Sequence, residues 1–197
     1  MDRNIDDPKT HSQSHYDVVS KTDREVNRKS HQILVEDVVK VYNGSDGPKT
    51  VLDNVDLQVS KGEFVAVVGP SGCGKSTLLR LILGEENPTS GILCVDGEPI
   101  GYPDASRGIV YQQYSLFPHL TVLENIMLGH RHSMRWSQWR RSKKEIKQKA
   151  QEYLRTAQLE EHVHKYPHEL SGGQRQRCAV LQALMLDPKV LLMDEPF

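Results

Sequence analysis

The nine residues Gly69, Pro70, Ser71, Gly72, Cys73, Gly74, Lys75, Ser76 and Thr77 fit the pattern G-x-x-x-x-G-K-[ST], and no other stretch constrains the fold as much. The motif works only between a strand and a helix. The apolar run Phe64–Val68 precedes it and predicts a short buried strand, while Leu78, Leu79, Ile82 and Leu83 follow at helical spacing. Glycines in the turn let the backbone curl until several N–H groups face one anion. The helix N-terminus adds its positive dipole end. Lys75 has the reach for the β- and γ-phosphates of a nucleoside triphosphate, and the Ser76 hydroxyl suits Mg²⁺. The other reading, a chance glycine-rich turn, does not explain the strand and helix on either side.

Composition bounds the remaining choices. A chain of 197 residues suits one domain or slightly more. The formal charge is −1, so bulk charge points to neither nucleic acid nor a membrane surface as partner. Hydrophobic content of 37% with a mean hydropathy of −0.55 leaves enough for a core. No run is apolar and long enough to span a bilayer, and the start lacks a secretory pattern. Cys73, Cys94 and Cys178 show no paired spacing and read as reduced thiols. Cys73 inside the motif is either an oxidation-sensitive thiol or a small tolerated side chain, and the second is the ordinary behaviour of a free cysteine.

Along the chain, residues 1–31 are polar, and the reading is a disordered tail. Strands are predicted from Ile33 to Tyr42 and from Val51 to Val59, joined by a link rich in turn residues from Asn43 to Thr50. Gly91 to Val95 predicts a strand closed by the Asp96-Gly97 turn, and Gly108 to Tyr111 another. Two capping boxes, Thr121-x-x-Glu124 and Ser171-x-x-Gln174, each predict a helix start, and the second helix runs to about Leu186 before Asp187-Pro188. Val190 to Met193 is a continuous apolar strand. The sum is an α/β fold with a partly parallel sheet, preceded by an antiparallel β part.

The strand Val190–Met193 ends in Asp194 and Glu195, a Walker B pattern. A carboxylate at the C-terminal end of such a strand lies beside the P-loop. Asp194 suits Mg²⁺, and Glu195 suits polarisation of an attacking water. Ser171, Gly172, Gly173 and Gln174 open a helix with free N–H groups and a hydroxyl, which makes a second anion site. An ordinary capped helix is the plainer reading of those four residues alone. In the segment Leu170 to Arg177, however, they resemble the signature motif of the ATP-binding-cassette ATPases, and the P-loop and Walker B pattern stand in that family's order.

The resemblance covers about residues 33–197 and implies a P-loop ATPase core with an antiparallel β part and a helical subdomain at about 113–186, all within residues 32–197. It implies ATP and Mg²⁺ as cofactors, with the Walker A residues Gly69–Thr77 on the phosphates. It implies a head-to-tail dimer with a second ATP-binding subunit, whose signature residues Ser171, Gly172, Gly173 and Gln174 meet the γ-phosphate. Tyr42 stands where the family places an aromatic on adenine; the alternative is an ordinary strand tyrosine. Val110-Tyr-Gln112 resembles the Q-loop, so Gln112 is expected to contact Mg²⁺ and the attacking water, with Gln113 as the adjacent competitor. Leu116 to Asn125 resembles the segment that meets an integral-membrane permease. The family role is ATP hydrolysis driving an importer at the cytoplasmic face of the membrane, usually with a solute-binding protein and without direct nucleic-acid contact. Asp96-Gly-Glu-Pro-Ile100 and Arg107 to Gln112 are similar to the nitrate, sulfonate and taurine uptake branch. The chain departs from the pattern at Gln182, where an arginine is common, and after Phe197, where the family's D-loop and switch histidine would follow. The expectation is an incomplete domain and weak hydrolysis. A non-transport cassette ATPase acting on DNA or ribosomes is the rival, although neither a coiled coil nor a second cassette is visible.

One segment stands outside this scheme. Residues 129–149 hold eight lysines and arginines against one carboxylate, Glu145, with Trp136 and Trp139 interleaved. A nucleic-acid footprint, a basic surface near a membrane and a solvated helix with both tryptophans packed inward all fit. The solvated helix is the commonest origin of such a run. His130-x-His132 and His162-x-His164 lack companion ligands and are read as non-metal residues.

Overall fold

The structure, a computed structural model, describes residues 31–45, 47–111 and 116–195, without the side chains of 132 and 133. The polar tail over 1–30, Gln112, Gln113 and the final two residues lie outside the described residues.

Two β layers carry the nucleotide motifs. β1 (Ile33–Gly44) pairs antiparallel with β2 (Gly47–Val59) and with β3 (Ser90–Val95), and β4 (Glu98–Pro99) closes a four-stranded sheet of order β2-β1-β3-β4. The expected link over Asn43–Thr50 is mostly strand: pairing continues to Gly44 opposite Gly47, which leaves a tight hairpin tip. The Asp96-Gly97 turn forms as read, with both residues at positive φ (54° and 80°), the conformation that a two-residue hairpin requires. β5 (Arg107–Val110) and β6 (Val190–Met193) make a separate parallel pair, in register from Arg107 opposite Val190 to Val110 opposite Met193.

The predicted strand Phe64–Val68 is not formed. The segment has no strand pairing, and Phe64 and Val68 are 91% and 88% exposed. An apolar run becomes a strand only when neighbours accept its N–H and C=O groups. Here a cleft of about 510 Å³ separates residues 63–67 from β6, whose other edge is taken by β5. Among the described residues, no backbone hydrogen bond joins Phe64–Val68 to another segment.

α1 (Lys75–Leu83) buries Leu78, Leu81, Ile82 and Leu83 against Val35, Val38, Leu93 and Leu192, forming the first core. Each such side chain contributes roughly 1.5–3 kcal/mol when fully withdrawn from water. Gly84, at φ 88°, ends the helix with its N–H on the Arg80 and Leu81 carbonyls. A second, helical core joins α2 (Val122–Ser133), α3 (Trp136–Thr156) and α4 (Gly172–Leu184), with Ile126, Leu154, Leu159, Cys178 and Met185 fully enclosed. Both predicted capping boxes are present, at Thr121/Glu124 and Ser171/Gln174. α4 ends at Leu184, two residues short of the expected end.

Candidate functional site: the P-loop, its facing carboxylate and the signature helix

The P-loop is a turn wrapped around a lysine. Gly74 caps α1 at φ 103° without any side-chain cap, so the first amides of the helix have no covering group of their own. A Cβ at Gly74 would lie 2.8 Å from Leu52 Cδ2 and 3.0 Å from the Val51 carbonyl oxygen, so both backbone conformation and the approach of β2 demand glycine here. The Lys75 ammonium folds back and donates to the carbonyls of Gly69 (2.9 Å) and Pro70 (3.0 Å). Ser71, Gly72 and Cys73 form the exposed rim.

Two motifs far apart in the chain meet at this loop. The Asp194 N–H donates to the Val110 carbonyl (2.9 Å), which extends the β5–β6 ladder and sets the carboxylate at the strand's end. There Asp194 Oδ1 accepts from the Ser76 hydroxyl at 3.0 Å. A serine hydroxyl and a half-buried carboxylate in contact, beside a lysine and uncapped amides, form a hard oxygen pair within an anion cradle. This donor set fits a magnesium-bound triphosphate. Glu195 follows at φ 46° on the exposed rim of the same cleft, with Lys75 and Asp194 among its lining residues.

Tyr42 is drawn to the far end of the P-loop by contacts that its sequence position does not disclose. Its hydroxyl donates to Glu86 Oε2 at 2.7 Å, and the Thr77 hydroxyl also reaches it. The Lys40 ammonium stands 5.0 Å above the ring and 2.9 Å from the same Glu86 oxygen. Burial, and then the Glu86 hydrogen bond, raise the phenol's pKa; the Tyr42 and Lys40 hydrogen bonds lower that of Glu86. Tyr111 forms a matching pair with Glu85, and burial followed by the carboxylate pushes its phenol up to about 12. Sequence reasoning missed Lys40, Glu85 and Glu86. Strand pairing and the turn after α1 bring them in, and no local spacing marks that meeting.

The signature residues lie elsewhere. Ser171, Gly172 and Gly173 are exposed at the start of α4, on the helical core. The Ser171 hydroxyl accepts from the Gln174 N–H at 3.3 Å, and Gln174 Oε1 accepts from the Ser171 N–H at 2.8 Å. The hydroxyl therefore serves the cap, and the exposed glycine amides are what the helix end offers outward. Gln174 Nε2 also meets His162 Nε2 at 2.7 Å. No signature residue lines the cleft that holds Lys75 and Asp194.

Between the two cores runs a groove of about 360 Å³, walled by Tyr111, Phe117, Gly129, Gln182 and Leu186. The loop at its mouth is organised by one buried side chain that the sequence reading had only as the end of a segment. Asn125, fully buried, accepts from the Phe117 N–H (2.7 Å) and donates to the carbonyls of Phe117 (3.1 Å), Leu120 (3.0 Å) and Thr121 (3.0 Å).

A family model described as ABC transporter matches residues 52–197. The chain is 41% identical over 165 residues to the aliphatic sulfonates import ATP-binding protein SsuB of Bacillus cereus, covering 84% of this chain and 62% of the relative. It is 45% identical over 163 residues to the nitrate import ATP-binding protein NrtD of Synechocystis, covering 83% and 59%. It thus spans about three fifths of the length of these curated relatives. Among solved structures it resembles a dimeric bacterial ABC transporter cassette with a TM-score of 0.73 at 36% identity, covering 83% of this chain and 74% of that one. A post-hydrolysis dimer of the same cassette, bound to ADP and phosphate, matches with a TM-score of 0.70 at 34% identity.

Proposed function

The chain belongs to the ABC transporter family, and from that premise we propose that it is the ATP-binding and ATP-hydrolysing subunit of an importer whose membrane path is a separate permease. The observation that carries this reading is the 3.0 Å contact between Ser76 and Asp194, which joins the P-loop to the Walker B strand in one donor set. Ser76 and Asp194 would hold Mg²⁺, and Mg²⁺ when bound neutralises charge on the phosphates. The amides of residues 69–77 and the Lys75 ammonium would cradle those phosphates, Tyr42 would carry the adenine, and Glu195 would take the proton of the attacking water. Gln112 would contact the metal and that water.

No signature residue lines the cleft beside its own P-loop, which suits a head-to-tail dimer in which Ser171, Gly172, Gly173 and Gln174 of one subunit would close the site of the other. The groove beside Phe117 and the loop held by Asn125 suit a short helix of the permease. No helix among the described residues is long and apolar enough to cross a membrane; by likeness to the import ATP-binding relatives, the chain's place would be peripheral, at the cytoplasmic face. A solute-binding protein would complete the system.

The test is equilibrium ATP binding with and without Mg²⁺. The expected result is tighter binding with the metal, and loss of that enhancement in Asp194→Asn while metal-free binding persists. Identical metal dependence in the parent and Asp194→Asn would overturn the assignment.

A further inference from the structure

The basic stretch at the start of α3 has no part in the nucleotide site. Residues 129–149 carry a net charge of +7 in a chain of net −1, so the charge is strongly segregated. Within α3, Trp136, Arg140, Lys143, Lys144 and Lys147 recur at i, i+4, i+7, i+8 and i+11, which places them on one face. All five are exposed, and among the described residues none of the four cations is ion-paired. The expected inward packing of both tryptophans holds for Trp139, which is 8% exposed and anchors the helix in the second core. It fails for Trp136, which is 70% exposed. Beside Trp136 opens a cleft of about 460 Å³ with Leu120, Met127 and Trp139 in its wall and Arg131 and Lys143 at its edge.

We propose that this face of α3 seats on an anionic phospholipid surface, with Trp136 at the headgroup level and Arg140, Lys143, Lys144 and Lys147 on the phosphates. The cations are spread along about 10 Å of helix, and with Trp136 the face is about 16 Å long, from the rise per residue. A dense planar array of anions meets all of them at once, whereas a single acidic side chain or ligand meets one or two. An exposed tryptophan beside lysines is the composition that the membrane interface selects. The cleft also shares Leu120 and Thr121 with the loop assigned above to the permease, so the two surfaces are continuous. That orientation rests on the proposed function; lipid binding itself does not.

The experiment co-sediments the 197-residue chain, without nucleotide or permease, with phosphatidylcholine vesicles that contain either no anionic lipid or about one third phosphatidylglycerol. Binding is expected only to the anionic vesicles and should fall steeply with salt. Replacing Lys143, Lys144 and Lys147 together with glutamine should weaken it on the order of 100-fold, from about 1 kcal/mol per cation at such a surface. Lys49→Gln with Lys61→Gln should leave it unchanged. In Trp139→Phe, Trp136 is the sole indole, and its emission should shift to the blue on binding. Retained ATP binding by the triple variant shows that it is folded. Equal binding to both vesicle types, equal binding by parent and triple variant, or capture of an RNA oligomer in preference to anionic vesicles would each overturn the proposal.

Discussion

Lys75 occupies the centre of its own loop by bonding two carbonyls, so an incoming phosphate must exchange for those bonds. A charge-assisted hydrogen bond is worth about 1.5–3 kcal/mol. Lys75→Ala is therefore expected to weaken ATP binding about 10- to 100-fold, while Lys61→Ala, exposed before the loop, changes it little. Equal affinities for the two variants in a nucleotide titration would remove Lys75 from the site. Cys73 gives a second probe of the same loop. It is exposed, whereas Cys94 and Cys178 are buried, and burial pushes the Cys178 thiol up to about 11. Only the thiolate alkylates readily. Cys73 should therefore be the first cysteine modified by a maleimide at neutral pH, and Mg·ATP should slow that modification, as read by mass spectrometry. Modification of Cys178 before Cys73 would contradict the burial described.

The element that depends most on one side chain is the loop before α2. Asn125 satisfies four backbone groups between Phe117 and Thr121 from a position without solvent access. Asn125→Ala removes the partner of the Phe117 N–H and of the Leu120 carbonyl, while the Phe117 and Thr121 carbonyls keep backbone donors from Leu120 and Asn125, and is expected to cost about 1–3 kcal/mol. Asn125→Asp should be no better, since a carboxylate has no protons for the three carbonyls. Urea unfolding measures both, and a midpoint unchanged in either variant would show that the loop is held by other means. The helix starts at Thr121 and Ser171 were readable because a capping box is written within four consecutive residues. The Asp96-Gly97 turn was readable for the same reason, and the apolar run Val190–Met193 became the expected strand because β5 supplies its partner. Phe64–Val68 was misread because a strand needs partners that its own sequence cannot supply. The Lys40–Tyr42–Glu86 cluster and the four-way role of Asn125 were invisible, since each depends on segments brought together by packing. Trp136 and Trp139 sit three residues apart, and a charge run alone does not say which one the core takes.

At the scale of the whole molecule, the two cores divide the chemistry between them. The first presents Lys75, Ser76 and Asp194; the second presents the exposed start of α4. On the proposed reading a single chain would offer half of one site and half of another, and a two-fold pairing of copies would complete both. Such a dimer should be stabilised by ATP and dissolved by its hydrolysis, since a ligand bound at the junction favours the assembled state by mass action. Glu195→Gln keeps a hydrogen-bonding group at the end of β6 but cannot accept a proton, so the pre-hydrolysis state should accumulate. Light scattering after size exclusion in Mg·ATP should then show a dimer for Glu195→Gln and a monomer without nucleotide. Ser171→Arg puts a bulky cation at the exposed helix start and removes the hydroxyl that caps it, a loss of about 1 kcal/mol to the helix. That cost alone leaves the fold intact, yet the double variant carrying both changes should remain monomeric. A double variant that dimerises as readily as Glu195→Gln alone would mean that α4 does not face the neighbouring nucleotide, and the division of the site between two copies would have to be abandoned.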